Sequence, residues 1–299
     1  NRIYGLTYAI GAFTNLSHDH LDYHKTFKDY RDVKKEFFDS LPKSSFSITN
    51  IDDKNGSYMI QNTISKSLTY SLNSNSDFSL KILEKDFNGM KILINGIELW
   101  TKLTGKFNAY NILLVYVIAK KLKISEDLIL KNLSLLSSPE GRFELVNNIS
   151  DKIGIIDYAH SPDSLKNVLI TINEIKESKI HLITVVGCGG DRDKSKRPIM
   201  GKIASSLSDR VIFTSDNPRH ENPVDIINQM RDGVNECDIS KVDYEIDREK
   251  AIQKACSKAG NRDIILIAGK GHEKYQIYGD NKMDFNDRDV LIKSLKTNC

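Results

Sequence analysis

Short apolar runs, recurring with helical stretches between them, constrain this chain more than any other feature. They are IGIID at 153–157, HLITVVG at 181–187, RVIFTS at 210–215 and DIILIAG at 263–269. Helix-spaced segments follow at Leu165–Ile175, after CGGDRDKSKRP, and at Val224–Met230. Ser161 followed by Pro162 forms an N-cap and first-turn pair for one of them. Apolar strands alternating with amphipathic helices predict an α/β fold with a doubly wound, mostly parallel sheet.

In such sheets, ligands bind beyond the carboxyl ends of the strands. Four unusual loops begin where a predicted strand ends: DYAHSPD from Asp157, GCGGDRDKSKR from Gly187, SDNPR from Ser215 and GKGHE from Gly269. They would bring Asp157, His160, Arg192, Asp216, Arg219 and Glu273 to one edge. One GG or GKG turn is ordinarily just a turn, but four charged loops on one edge predict a cleft. Arg192 and Arg219 are suited to fork onto carboxylates, and Asp216 and Glu273 to receive an ammonium. That balance fits a zwitterionic amino acid carrying several charges. The competing reading of each arginine is a surface ion pair worth about 0–1 kcal/mol.

The first half reads differently. Tyr8–Leu16 is strand-like, and His18, Asp19, His20, Asp22 and His24 follow it. Phe27–Leu41 has helix spacing, with Phe27, Tyr30, Val33, Phe37 and Leu41 on one face. Phe46–Ile51 is a strand, and residues 57–100 read as short antiparallel strands. TGKFNAYN at 104–111 leads into an apolar helix, ILLVYVIAKKL, and a second helix over Ser125–Leu136 opens on Ser125 as N-cap. SSPEG at 137–141 is the linker candidate. The histidine–aspartate cluster suits a metal or phosphate site, and a solvated polar turn competes with that on even terms. Lys34, on the helix, offers only donors. It becomes a ligand for a hard cation only after taking up CO2 as a carbamate, and a solvated charge is the ordinary state of a helix lysine.

Composition narrows the partners. A net charge of +3 with 28% charged residues is too balanced to argue for nucleic acid. Cys188, Cys237, Cys256 and Cys299 form no CxxC pair, which fits a reducing cytoplasm. No apolar run approaches the ~20 residues of a membrane span, and no signal peptide is visible.

TNLSHDHLDYH with YRDVKKEFF, TGKFNAYN, EGRFE, DYAHSPD, GCGGDRDKSKRP, DNPR and GKGHE occur in a family order. Together they resemble the Mur ligases, and within them the diaminopimelate-adding E type. The resemblance covers essentially the whole chain, least clearly 57–100, and its strength lies in the ordered set. It implies two domains: 1–138, the back part of a central ATPase domain, and 139–299, a Rossmann-like C-terminal domain that binds the amino acid. It implies ATP-dependent amide formation between UDP-MurNAc-L-Ala-D-Glu and meso-diaminopimelate through an acyl phosphate, with Mg2+, in peptidoglycan precursor synthesis. A cytoplasmic monomer is expected.

By motif, the resemblance makes His20 and carbamylated Lys34 the catalytic and metal residues. Asn108 becomes the adenine contact, Arg142 a phosphate contact and Asp157 a ribose contact, with His160 in the same nucleotide-facing loop. Arg192, Asp216, Asn217, Arg219, Gly269 and Glu273 become the diaminopimelate site. The arginine of DNPR suits the second carboxylate, which lysine lacks.

The chain departs from the family pattern in having no GxxGKT phosphate loop; its GK pairs at Gly105, Gly201 and Gly269 precede neither Ser nor Thr in that setting. It also opens abruptly at Asn1. The expectation is an N-terminally truncated piece that binds ATP poorly and does not turn over alone. A non-catalytic amino-acid or peptide-binding module and the L-lysine-adding relative are the alternatives. A metal-dependent phosphohydrolase is less favoured, because DNPR and GKGHE would go unexplained.

Overall fold

The computed structural model describes residues 5–16, 26–146 and 149–297. They fall into two compact units that divide at Ser137 and Ser138.

The first unit contains β1 (Ile10–Phe13), α1 (Phe27–Asp39), β2 (Phe46–Asn50), α2 (Gly56–Ile60), β3 (Lys66–Ser71), β4 (Phe78–Asp86), β5 (Gly89–Ile94), β6 (Ile97–Thr101), α3 (Lys106–Lys121) and α4 (Glu126–Leu135). The six strands form one sheet in chain order. β1 through β4 pair in parallel, and β4, β5 and β6 are antiparallel. The expectation of short antiparallel strands over 57–100 therefore holds only for its later part. The segment opens with a helical turn, and β3 joins the parallel set, because Leu68 and Tyr70 find their burial beside Ile48 of β2. Helix α1 keeps most of its expected face: Phe27, Tyr30 and Phe37 pack half-buried against the buried Phe38 and the following Leu41, while Val33, 48% exposed, departs from it. Helix α3 starts inside TGKFNAYN, with Gly105 as N-cap, and buries Ala109, Ile112, Leu113, Tyr116 and Val117. Ser125 occupies the N-cap of α4 but makes no side-chain cap bond.

The second unit contains β7 (Glu144–Val146), β8 (Ile153–Asp157), α5 (Pro162–Ile175), β9 (Leu182–Val186), α6 (Lys196–Leu207), β10 (Arg210–Phe213), α7 (Pro223–Arg231), a 3-10 turn (Glu236–Lys241), β11 (Val242–Tyr244), α8 (Arg248–Lys258), β12 (Ile264–Ala268), the hairpin β13 (Tyr275–Tyr278) and β14 (Asn281–Asp284), and α9 (Asp287–Thr297). The main sheet has the order β11-β10-β9-β12-β8-β7, parallel except for the edge strand β7. β9 and β12 are buried along their whole length, as strands covered on both faces must be. Ala251, Ile252 and Ala255 of α8 and Leu291 and Leu295 of α9 share a core with Ile156, Ile183 and Ile267. The N-terminus of α5 closes with a capping box between Ser161 and Ser164.

Candidate functional site

Strand order brings the four motif loops of the second unit together. β12 returns to lie between β8 and β9, so GKGHE sits between DYAHSPD and GCGG, and SDNPR lies beyond GCGG. Backbone contacts join the neighbours. Gly269 N donates to Asp157 O at 3.0 Å, and Gly190 N to Asn217 O at 2.9 Å. A Cβ on Gly190 would stand 1.8 Å from Pro218 O, so only glycine permits that approach.

Around this edge the charges are unequally satisfied. Asn217 is buried, and its side chain is engaged on both sides. Its Oδ1 accepts from Lys270 Nζ at 3.1 Å and Ile277 N at 3.1 Å, and its Nδ2 donates to Glu273 at 3.0 Å. Lys270 also donates to Glu273 at 3.0 Å. Burial opposes the Glu273 charge, but the hydrogen bonds from Asn217 and Lys270 and the nearby cations hold its carboxyl below the ordinary range. Glu273 is thus already matched by a cation. Asp216 is not: it is 8% exposed, and its carboxylate has no hydrogen-bond or ion-pair partner among the described residues. Gly269, at φ +116°, leaves the space in front of it; a Cβ there would lie 2.6 Å from Asp216 Oδ2. A buried carboxylate without a partner is costly, so this corner is suited to a cation supplied from outside.

The guanidiniums complement it. Arg219 has φ +52°, a left-handed backbone held by Arg219 N to Ile277 O at 3.0 Å and Gly279 N to Arg219 O at 2.7 Å. Its Nη1 donates to Gly190 O at 2.7 Å, and the other N–H groups have no partner among the described residues. Arg192 is exposed, and its Cγ lies 3.8 Å from where a Gly189 Cβ would sit, with Arg219 Nη1 at 3.1 Å from the same point. Two forks with open donors suit a carboxylate.

Residues without a local sequence signature hold this edge in place. Arg248, 1% exposed, pairs through Nε and Nη2 with the two oxygens of Asp287, each at 2.7 Å. It also donates to Ser215 O at 3.3 Å and Ala268 O at 3.1 Å, tying the ends of β10 and β12. Arg197 forks onto Glu221 at 2.8 and 2.9 Å, and with Lys194 and the Asp191 amide holds that carboxyl at about 2 against the burial that opposes it. Lys270 lay inside GKGHE, and a lysine directly after an all-apolar strand is a signal that the charge balance drawn from sequence left out. Arg248 and Asp287 lie 39 residues apart and carry no such signal.

At the end of β8, Asp157 faces inward. Its oxygens accept from Phe143 N and Ala159 N, both at 2.7 Å, and burial outweighs these bonds to push its carboxyl up to about 6. Beside it, the Arg142 guanidinium lies 4.5 Å from the centre of the Tyr158 ring. That ring also meets His160 at 4.6 Å and His272 at 5.2 Å. His160 Nδ1 lies 2.9 Å from Tyr158 O. Tyr158 and His272 were not singled out from the sequence.

In the first unit, His20 and the rest of the histidine cluster lie outside the described residues. Lys34 is exposed on α1, with Nζ 5.5 Å from the Tyr30 ring centre. Asn108, on the first turn of α3, donates to Thr104 O at 2.8 Å. The end of β1 is fixed by Asn50 Nδ2 to Thr14 O at 2.9 Å and Leu16 N to Asp53 at 3.1 Å. No cluster of three His, Cys, Asp or Glu able to hold a metal occurs among the described residues.

Known proteins match both units. Residues 1–119 match the Mur ligase middle domain, and residues 141–271 match the glutamate ligase domain of Mur ligases. The chain belongs to the Mur ligase family. It is 52% identical over 290 residues to the UDP-N-acetylmuramoyl-L-alanyl-D-glutamate–2,6-diaminopimelate ligase of Bacteroides fragilis, covering 97% of this chain and 60% of that protein. It is 49% identical over 294 residues to the ligase of the same name from Cytophaga hutchinsonii, covering 98% and 60%. A solved structure of a ligase of that name covers 99% of this chain and 62% of its own, at 31% identity and a TM-score of 0.63. The chain therefore spans about 60% of the length of the curated relatives it matches.

Proposed function

We propose that the second unit binds the amino acid in an ATP-dependent ligase that joins meso-diaminopimelate to UDP-MurNAc-L-Ala-D-Glu. The observation that carries this is the pairing of an unmatched buried carboxylate, Asp216, with open guanidinium donors on Arg219 and Arg192. Asp216 receives an ammonium, and the arginines take a carboxylate. Glu273 and Asn217 shape the pocket, with Lys270 cancelling one charge, and Gly269 keeps Asp216 accessible. A dicarboxylic diamine satisfies more of these groups than lysine, which has one carboxylate. The 52% and 49% identical relatives named for diaminopimelate support the same choice.

In this reading residues 1–138 form the back part of the central ATP-binding domain and 139–299 the amino-acid-binding domain. Asn108 contacts adenine in the first, and Arg142, Asp157 and His160 contact nucleotide in the second. ATP phosphorylates the D-glutamyl carboxylate. The amine of diaminopimelate attacks the acyl phosphate, and the amide forms with release of phosphate. His20, outside the described residues, and Lys34 as a carbamate would hold Mg2+, which would supply positive charge to offset that on the ATP phosphates. The protein works as a cytoplasmic monomer in peptidoglycan precursor synthesis.

Calorimetry of this chain with meso-diaminopimelate and with L-lysine tests the reading. Diaminopimelate is expected to bind more tightly, and Arg219→Ala to remove that preference, losing about 1.5–3 kcal/mol for one charged hydrogen-bonding group. Equal binding of both amino acids by the unmutated chain would overturn it.

A further inference from the structure

His220, directly after Arg219, stands between two carboxylates. Its Nδ1 lies 2.9 Å from Asp191 Oδ2, in the loop after β9, and its Nε2 lies 3.3 Å from Asp280 Oδ1, on the β13–β14 turn. A carboxylate only accepts, and a neutral imidazole has only one N–H to give. Both contacts are therefore satisfied as hydrogen bonds only by the imidazolium. The His220 backbone N–H also points at Asp191, at 3.4 Å.

The segments so joined are the ones that set Arg219. Its guanidinium leans on Gly190, one residue before Asp191, at 2.7 Å. Its backbone carbonyl accepts from Gly279, one residue before Asp280, also at 2.7 Å. Arg219 and Asp191 both hold left-handed backbones, at φ +52°. A non-glycine residue in that region is held against an intrinsic preference of about 1–2 kcal/mol, so the contacts on either side decide whether it stays there.

We propose that His220 is a positioning residue: its imidazolium clamps the Asp191 loop and the hairpin turn onto the DNPR segment and so keeps Arg219 in its ligand-facing conformation. This rests on the amino-acid reading above. The other charges around the clamp are Arg192 in the loop after β9, and Arg219 and Glu221 in its own segment. Glu221 is committed to Arg197 and to the Asp191 amide, the latter at 2.6 Å. The hydrogen bonds to Asp191 and then to Asp280 raise the His220 pKa above its ordinary 6.5. The clamp is accordingly closed at low pH and opens as pH rises through the raised value.

The test follows the His220 ring by NMR across pH and, in parallel, the affinity of the chain for meso-diaminopimelate. A midpoint above 6.5 is expected. Affinity should fall about tenfold through it, the equivalent of one charge-assisted hydrogen bond. Asp280→Asn, on the exposed turn, should move both midpoints down together. His220→Gln, which donates to one carboxylate only, should flatten the affinity profile. A His220 midpoint at or below 6.5, or an affinity profile that stays put when the ring midpoint moves, overturns the clamp. If meso-diaminopimelate binds at no pH, the amino-acid reading fails by itself. Hydrogen-exchange protection of the Arg219 and Gly279 amides then decides the clamp: loss of protection through the His220 midpoint supports it, and constant protection overturns it.

Discussion

Asp157→Asn isolates what burial of a charge costs at the motif edge. Asp157 is 6% exposed and its carboxyl is pushed up to about 6 from an ordinary 3.8. A raised carboxyl means the folded state holds its proton longer than the unfolded chain. The stability this contributes is present below about 3.8 and is lost as pH rises through about 6. At about 1.4 kcal/mol per tenfold in proton affinity, the full span is about 3 kcal/mol, of which about 2.5 kcal/mol falls between pH 4 and pH 7.5. Asparagine does not titrate. It does lose one acceptor, so either Phe143 N or Ala159 N faces an amide NH2, at a pH-independent penalty of about 1–3 kcal/mol. The two effects separate by their pH dependence. Urea unfolding, read from amide signals of β8 and β12, should show Asp157→Asn less stable than the unmutated chain by no more than that penalty at pH 7.5. At pH 4 it should be less stable by about 2.5 kcal/mol more than at pH 7.5. A stability difference that is the same at both pH values would refute the argument that burial, and not the two amide bonds, sets this carboxyl.

The buried Arg248–Asp287 pair gives a second test in the same unit. Asp287→Leu alone leaves a guanidinium that is 1% exposed without its paired carboxylate and should destabilise by about 3–5 kcal/mol. The double variant Arg248→Met with Asp287→Leu should recover most of that loss, measured by denaturant unfolding; no recovery would mean that the links to Ser215 and Ala268 matter more than the charge pairing. For Lys34, 13C-labelled bicarbonate should give a carbamate NMR signal that disappears in Lys34→Ala. Its absence from the unmutated chain in saturating bicarbonate would remove the carbamate role.

The parallel sheet was legible because its inner strands are short, mostly apolar runs. IGIID and the cores of HLITVVG and DIILIAG became β8, β9 and β12 within a residue or two. The other elements lack that signal. α8 buries its face with Ala251, Ile252, Ala255 and Cys256, small residues among many charges. β13 and β14 form a separate two-stranded hairpin, bridged at Tyr278 to Arg219, and all four residues of β14 are exposed. In the first unit, β3 was read as antiparallel because alternation in a short half-buried strand does not state its direction; its partner β2 does, and it comes from 20 residues earlier.

The site was legible as motifs but not as a charge balance. Sequence order put Arg192, Asp216, Arg219 and Glu273 at strand ends, and strand order made those ends adjacent. Lys270, whose buried ammonium lies 3.0 Å from Glu273, makes the two carboxylates unequal, since Asp216 has no direct side-chain partner among the described residues. The distinction matters for recognition. With both carboxylates open, the edge would ask for two cations and discriminate weakly among diamines. On the proposed reading, one open carboxylate together with open guanidinium donors asks for one ammonium and at least one carboxylate held at a set spacing. The spacing depends on the left-handed Arg219, and that backbone is braced from segments up to 60 residues away, by Gly190, Ile277 and Gly279. On the proposed reading, specificity at this edge is a property of the braced loops, and substitutions at their contacts should alter the choice of amino acid without touching any group that meets it.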